Sequence, residues 1–289
     1  MQEAQESQTE PLTHSKYSPS QLTRIIGCPG SVHATQGVLK TTSSYAQDGT
    51  NLHSAVEECF NLDVYKVPNS TKKKFLLDQG RVEAVQEVLD WIQALAMQHS
   101  DDPDAIAYVE HKVSLADYAE STGCEALRDV YGTLDFSFLS PQTGTLYVAD
   151  WKFGAGVEVH PDTAQLKAYA LGRLAHGYAS NLRAHIDKVV LVIIQPRLHS
   201  GDTLKTYETT TKDLYAWMVG DLIPALNNAE SKHPVFKPSE STCKWCAVKP
   251  TCKYRKDLAM ESAAEVFKLH AKIPNKTDEQ EIAEFLLRL

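Results

Sequence analysis

The 289-residue chain contains no run of about 18 apolar residues, so no membrane-spanning helix is expected. The first twenty residues, MQEAQESQTEPLTHSKYSPS, lack an apolar core and do not read as a secretory signal. Residues 1–16 read instead as a disordered polar lead. There is no excess of basic charge either. Thirty-seven Asp and Glu against 29 Lys and Arg give a formal net charge of −8. That balance disfavours a protein that coats nucleic acid non-specifically, though it leaves room for an enzyme with a local basic channel. No internal repeat is visible. The Gly154-Ala155-Gly156 run follows a strand pattern but lacks the third glycine and the immediate helix of a dinucleotide site, which excludes that reading. Six cysteines without a secretory leader point to reduced thiols in a cytosol and to ligands rather than disulfides.

The remaining composition, 43% hydrophobic and 23% charged, is that of a globular domain with a substantial core. Ser18 and Pro19 open a short helix that ends at the Gly27-Cys28-Pro29-Gly30 turn. A second helix begins near Thr50. Residues 70–98 read as one long amphipathic helix, with Val82, Val85, Val88, Leu89 and Ile92 at helical spacing. Strand patterns follow at AIAYVEHKVSL, ALRDVYGTLDFSFLS and TLYVADWKF, the last two separated by a turn at 141–144. Then come a helix over PDTAQLKAYALGRLAHGY, an apolar strand in DKVVLVIIQPR, a strand in TLKTYETTT and a helix from Lys212. This order predicts an α/β fold with a central mixed sheet flanked by helices.

Within TLYVADWKF, Asp150 and Lys152 interrupt an apolar strand. Side chains two apart on a strand share a face, so this pair projects together, opposite Ala149, Trp151 and Phe153. Asp135 lies on the preceding strand, with Leu134, Phe136 and Phe138 expected on the other face. A hairpin through 141–144 brings Asp135 beside Asp150. Two neighbouring carboxylates repel unless a cation joins them, and hard divalent ions take such oxygen ligands. Taken alone, D-x-K on a strand reads more simply as a buried salt bridge closing a sheet end. Upstream, His53 and Glu57 lie one helical turn apart; downstream, so do Gln165 and Tyr169. Glu110 is one more strand carboxylate.

Taken in order, GTNLH (49–53), GTLD (132–135), DWK (150–152) and QLKAY (165–169) resemble the RecB-type nuclease branch of the PD-(D/E)xK superfamily over residues 17–256. The resemblance implies a restriction-endonuclease-like core within residues 17–272. His53, Asp135, Asp150 and the Trp151 carbonyl would be metal ligands and Lys152 the catalytic lysine. Gln165 and Tyr169 would steady the site, with Glu110 as an auxiliary acid. The implied chemistry is Mg²⁺- or Mn²⁺-dependent hydrolysis of DNA phosphodiesters, most simply as an exonuclease acting on single strands or free ends. The absence of helicase motifs fits a recombination, repair or phage DNA-processing role in a bacterial or phage-infected cytosol. A non-catalytic DNA-binding scaffold and a structure-specific endonuclease are the rival readings.

The stretch CKWCAVKPTC spaces Cys243, Cys246 and Cys252 as C-x2-C-x5-C, one thiolate short of a four-cysteine site. Cys28, exposed by its Gly-Pro turn, is the natural fourth ligand, with Cys59 and Cys124 as alternatives. Cys59 has apolar helical neighbours and reads more simply as packing. Spacing alone leaves zinc and an iron–sulfur cluster open. One distant N-terminal cysteine plus this downstream triplet resembles the [4Fe–4S] staple of AddB-type and CRISPR-adaptation nucleases, which implies that the chain ends are pinned together by the cluster. Around the triplet, Lys244, Lys249, Lys253, Arg255 and Lys256 occur with no acid between 241 and 256, and Trp245 and Tyr254 interleave. That pattern suits phosphate contact and base stacking, and Lys72, Lys73 and Lys74 would extend it. Residues 277–289 read as a terminal helix, after Pro274, whose apolar stripe packs on its own domain or serves a partner or self-association.

Overall fold

The computed structural model describes residues 15–38, 44–154, 157–175 and 186–270. The chain runs through a 3₁₀ turn at Pro19–Gln21, α1 (Leu22–Gly27), α2 (Ser31–Ala34), α3 (Ser44–Asn61), α4 (Asn69–Lys74) and α5 (Gln79–Gln98). Next come β1 (Ile106–Ser114), α6 (Tyr118–Thr122), β2 (Tyr131–Ser140), β3 (Thr145–Trp151), α7 (Ala164–Ala175), β4 (Lys188–Ile194) and β5 (Leu204–Thr210). The fold is mixed α/β. The five strands form one sheet in sequence order, antiparallel throughout except for the parallel β3–β4 pair. That parallel step needs a crossover, which includes α7.

Each sheet face carries its own apolar core. On one side Leu139, Leu146, Val148, Val189 and Leu191 pack with Leu166, Ala170 and Leu174 of α7 and with Leu214, Met218 and Leu226 of the helical run at 211–229. On the other, Phe136, Phe138, Trp151, Val190 and Val192 pack with Leu52 and Val56 of α3 and Val85, Val88 and Ile92 of α5. Trp91 meets both Phe136 and Trp151 edge-on, at 5.6 and 5.9 Å between centroids. A fully buried apolar side chain such as Phe136 contributes about 1.5–3 kcal/mol. The apolar β3 and β4 are covered on both faces, whereas edge strand β5 is largely exposed.

Four local expectations change. The 70–98 helix is two helices. Leu76 takes a left-handed φ of 52°, and the Asp78 side chain accepts the Arg81 N–H at 2.9 Å, so a new N-cap starts α5. The α3 helix begins at Ser44, ahead of Thr50. Ser15 and Lys16, assigned to the polar lead, are held in place. Ser15 Oγ donates to the Asp129 carbonyl and Lys16 pairs with Glu230 at 2.6 Å. Leu134 packs in the α7-side core, not with Phe136 and Phe138. The inside-outside alternation breaks at Asp135. Across from it the β1–β2 ladder passes from Val109↔Phe136 to His111↔Leu134, skipping a Glu110 with a φ of 46°. The helix at 211–229 includes a π-turn at Met218–Leu222, just ahead of Pro224, whose missing N–H interrupts the α-helical ladder. The 273–289 tail, Ala155 and Gly156, and the end of the helix read through Tyr178 lie outside the described residues.

Candidate active site and cysteine site

The break in β2 is where the acidic residues meet. Asp135 turns its carboxylate toward β3 and accepts the Trp151 N–H on Oδ2 at 2.7 Å. A side chain thereby takes a backbone donor near the end of the β2–β3 ladder. Asp150, on β3, is 3% exposed. Its Oδ1 accepts Gln165 Nε2 from α7 at 2.8 Å. Lys152 Nζ lies 2.5 Å from Asp150 Oδ2 as an ion pair. From the opposite side of the sheet, His53 of α3 brings Nε2 to 3.1 Å from Asp135 Oδ2. The His53 Nδ1–H donates to the Gly49 carbonyl at 2.9 Å, which fixes the ring so that Nε2 faces the carboxylates. Phe153 backs the ring edge-on at 5.1 Å.

The protonation pattern follows from this crowding. Burial raises the Asp150 pKa; the Lys152 ammonium opposes that rise and Asp135 adds to it. Burial also raises Glu110, to about 7, with Asp135 and Glu57 adding to the effect and His53 opposing it. For His53 burial works downward, but Asp135, the Gly49 carbonyl and Asp150 outweigh it and lift the pKa to about 9. Lys152 shows the same contest: burial lowers it, Asp150 and Asp135 raise it, and the net shift is upward. Tyr169 is raised by burial and then by Asp150 and Asp135, so its hydroxyl stays protonated beside the carboxylates. Glu110, in a left-handed conformation with a φ of 46°, feels the charges of Asp135, His53, Glu57 and Asp150.

The residues read from the sequence for this site, His53, Glu110, Asp135, Asp150, Lys152, Gln165 and Tyr169, thus converge. Trp151 borders the site through its backbone N–H while its indole is buried in the α5-side core. Gly132 of GTLD has a packing reason as well: a Cβ there would stand 3.2 Å from Pro19 and 3.3 Å from the Tyr169 ring. Several contributors carried no recognisable sequence signal. Asp48 accepts from Arg81 Nε and Arg197 Nη1, both at 2.7 Å, tying the start of α3 to α5 and to the loop after β4. Buried Gln195 donates to the Gly154 and Val157 carbonyls at 3.2 and 2.8 Å, fastening the segment after Lys152. Arg173 continues the Gln165–Tyr169 face of α7 and donates to Ser137 Oγ at 2.9 Å.

The second grouping lies at the chain ends. Cys28, Cys243, Cys246 and Cys252 line one pocket, with Phe236, Thr242 and Tyr254. Cys59 and Cys124 are instead buried in the two cores, Cys59 on the α5 side and Cys124 on the α7 side. The Gly-Cys-Pro-Gly turn fits closely. A Cβ on Gly27 would come within 2.2 Å of the Thr242 methyl, and one on Gly30 within 2.6 Å of the Phe236 ring. The Lys237 N–H donates to Cys28 Sγ at 3.3 Å. Burial raises the Cys28 thiol pKa, the Lys237 N–H lowers it, and Cys243 and Cys246 raise it again. Arg24, one helical turn before Cys28, feels Cys246 and Cys28, and its buried Nη1 has no hydrogen-bond partner. Among the described residues, no three His, Cys, Asp or Glu side chains stand in ready ligand geometry for a metal ion. In the acidic site, His53 and Lys152 occupy the carboxylate oxygens directly.

The basic segment is largely exposed, including Lys244, Lys253 and Arg255, and Trp245 is 76% exposed. Lys249 borders the cysteine pocket. Tyr254 is not an open platform, because Phe236 stacks on it at 3.9 Å. Of Lys72, Lys73 and Lys74, the last is spent on Glu58, which also accepts from Thr71 Oγ1 at 2.9 Å. Among the described residues no helix is long and apolar enough to cross a membrane.

Residues 14–289 match the family described as "Protein of unknown function (DUF2800)", and the chain belongs to that family.

Proposed function

We propose that this chain is a metal-dependent deoxyribonuclease of the PD-(D/E)xK type. One observation carries the reading. Asp135 and Asp150, on neighbouring strands, are brought together with His53 and Lys152, with Gln165 on Asp150 Oδ1 and the Trp151 N–H on Asp135 Oδ2. The β1–β2–β3–α7–β4 order, with β3 and β4 parallel, is consistent with a restriction-endonuclease-like core. The donor set of carboxylates and one imidazole fits Mg²⁺ or Mn²⁺, held by Asp135, Asp150, His53 Nε2 and the Trp151 carbonyl. Such an ion supplies Lewis-acid stabilisation and a more acidic water.

The chain's own residues do the rest. Gln165 orients Asp150 through its amide N–H. Lys152, kept charged by Asp150, offsets negative charge that develops on a phosphate. The Gly49 carbonyl holds the His53 ring so that Nε2, once its proton is displaced, faces the carboxylates as a ligand. Tyr169 remains a neutral donor for the strand backbone. Glu110, near half-protonation at neutral pH, stands by as an auxiliary acid or base. Cys28, Cys243, Cys246 and Cys252 hold a [4Fe–4S] cluster, with structural Zn²⁺ as the alternative; the shared pocket and the Lys237 N–H on Cys28 Sγ suit a thiolate site of either kind. Action from DNA ends, in a recombination or phage DNA-processing setting, is part of this proposal.

The test is cleavage of end-labelled single- and double-stranded DNA with Mg²⁺ or Mn²⁺. Asp150→Ala is expected to lose on the order of 10³-fold or more in rate with its fold intact. Equal cleavage by wild type and variant would sink the assignment. Absorbance and metal content after anaerobic purification separate a cluster from zinc.

A further inference from the structure

A groove of about 830 Å³ runs between the α1–α2 region and the Ser241–Ala247 segment, apart from the carboxylate centre. Its volume falls in the range of small-ligand sites, about 300–1,000 Å³. Its chemistry departs from that of the rest of the chain. Asp and Glu make up 37 of the 289 residues, yet among the described residues neither type lines the groove, whereas Lys16, Arg24, His33 and Trp245 do. Trp245 is the most exposed large aromatic among the described residues, at 76%, with Lys244 Nζ 5.6 Å from its ring centroid. A water-facing indole at the rim of a groove whose described lining is basic and polar fits one ligand chemistry well: a flat π surface attached to an anion. Amide and hydroxyl groups of Gln21, Gln36 and Thr35 add polar contacts.

We propose that this groove binds a short stretch of single-stranded DNA, with one base stacked on Trp245 and adjacent phosphates on Arg24 and Lys244. Single strands are favoured over duplex because stacking on an indole needs an unpaired base face. Lys16 contributes less, since Glu230 already pairs with it at 2.6 Å. The groove is joined to the cysteine site. Thr242 lines both, and Trp245 sits between Cys243 and Cys246, so whatever fills the cysteine pocket also sets the position of the indole. This inference rests on the nuclease reading for its choice of strand. It names a holding site for that strand away from the carboxylates.

The test uses the full chain as purified, with no divalent ion added, so that binding is read without cleavage. Anisotropy of a 5′-labelled oligo(dT) gives affinity, and quenching of intrinsic tryptophan fluorescence reports stacking. Trp245→Ala is expected to weaken binding about tenfold and to remove most of the quenching. Lys244→Gln should reduce the slope of log affinity against log salt by about one. Unchanged affinity in Trp245→Ala, or tighter binding of duplex DNA or oligo(rU) than of oligo(dT), overturns the proposal. The two readings fail separately. Wild-type cleavage by Asp150→Ala would remove the nuclease assignment and leave a Trp245-dependent affinity standing, while a Trp245→Ala protein with normal affinity would remove the groove and leave cleavage untouched.

Discussion

The carboxylate centre and the cysteine pocket each gather groups that repel one another when ionised, and they manage that repulsion differently. The carboxylate centre carries its own cations. His53 stands against Asp135 and Lys152 against Asp150, while Gln165 and the Trp151 N–H satisfy further oxygens. Its residues come from α3, two central strands and α7, all anchored in the two cores. The cysteine pocket has Arg24 alongside and the Lys237 N–H on Cys28, and its walls include the four-residue helices Ser31–Ala34 and Glu240–Cys243. The difference teaches that the first site is organised before anything binds. The second, on the proposed reading, would depend on its occupant, as expected of a thiolate site whose binding energy is also folding energy.

The sharpest way to break that comparison is to remove one cysteine of each kind. Cys28→Ala should abolish metal or cluster retention and lower the melting temperature far more than Cys59→Ala, whose thiol only fills the α5-side core. Differential scanning calorimetry with metal analysis reads both effects, and equal losses would show that Cys28 merely packs. A middle-sized effect is expected from Gln165→Ala, which frees Asp150 Oδ1 without touching a strand. DNA cleavage should fall about 10- to 100-fold while the melting temperature stays within a few degrees. A large loss of stability instead would mean that the centre is not self-supporting.

The smallest effect is on stability against pH without added divalent ions. The His53 pKa is raised to about 9 from 6.5, so its stabilising contribution is full below pH 6.5 and is lost as pH rises through about 9. The melting temperature should therefore decline between pH 6.5 and 9. His53→Gln should flatten that decline, and an unchanged slope in the variant would place its cause elsewhere. Glu110, raised to about 7, loses its contribution earlier, from about pH 4.5 to 7, which separates the two groups on the same titration.

Much of the carboxylate centre was legible because strand periodicity and one short turn suffice to set Asp135 beside Asp150. The turn at Pro141–Gly144 closes with the Gly144 N–H on the Pro141 carbonyl at 3.2 Å, and the β2–β3 register follows from it. The same reasoning failed one residue away. Strict alternation put Leu134 with Phe136, but the left-handed Glu110 and the Asp135–Trp151 hydrogen bond let β2 change faces there. The break after Lys74 was missed because the apolar spacing runs through it, although Asp78 is a good cap in plain view. The partners of Asp48 lie 33 and 149 residues away, and no local pattern announces such a pair.

The sequence by itself determined the order of the strands and of the longer helices between them, the alternation that aims Asp150 and Lys152 to one side, and the C-x2-C-x5-C spacing. These are local matters, set by backbone period and residue type. The choice of Cys28 over Cys59 and Cys124, the approach of His53 to Asp135 from across the sheet, and the groove bordered by Trp245 were decided only in three dimensions. Each joins segments far apart in the chain. Their meeting depends on how the helices pack against the two sheet faces, and no single stretch of residues specifies that packing.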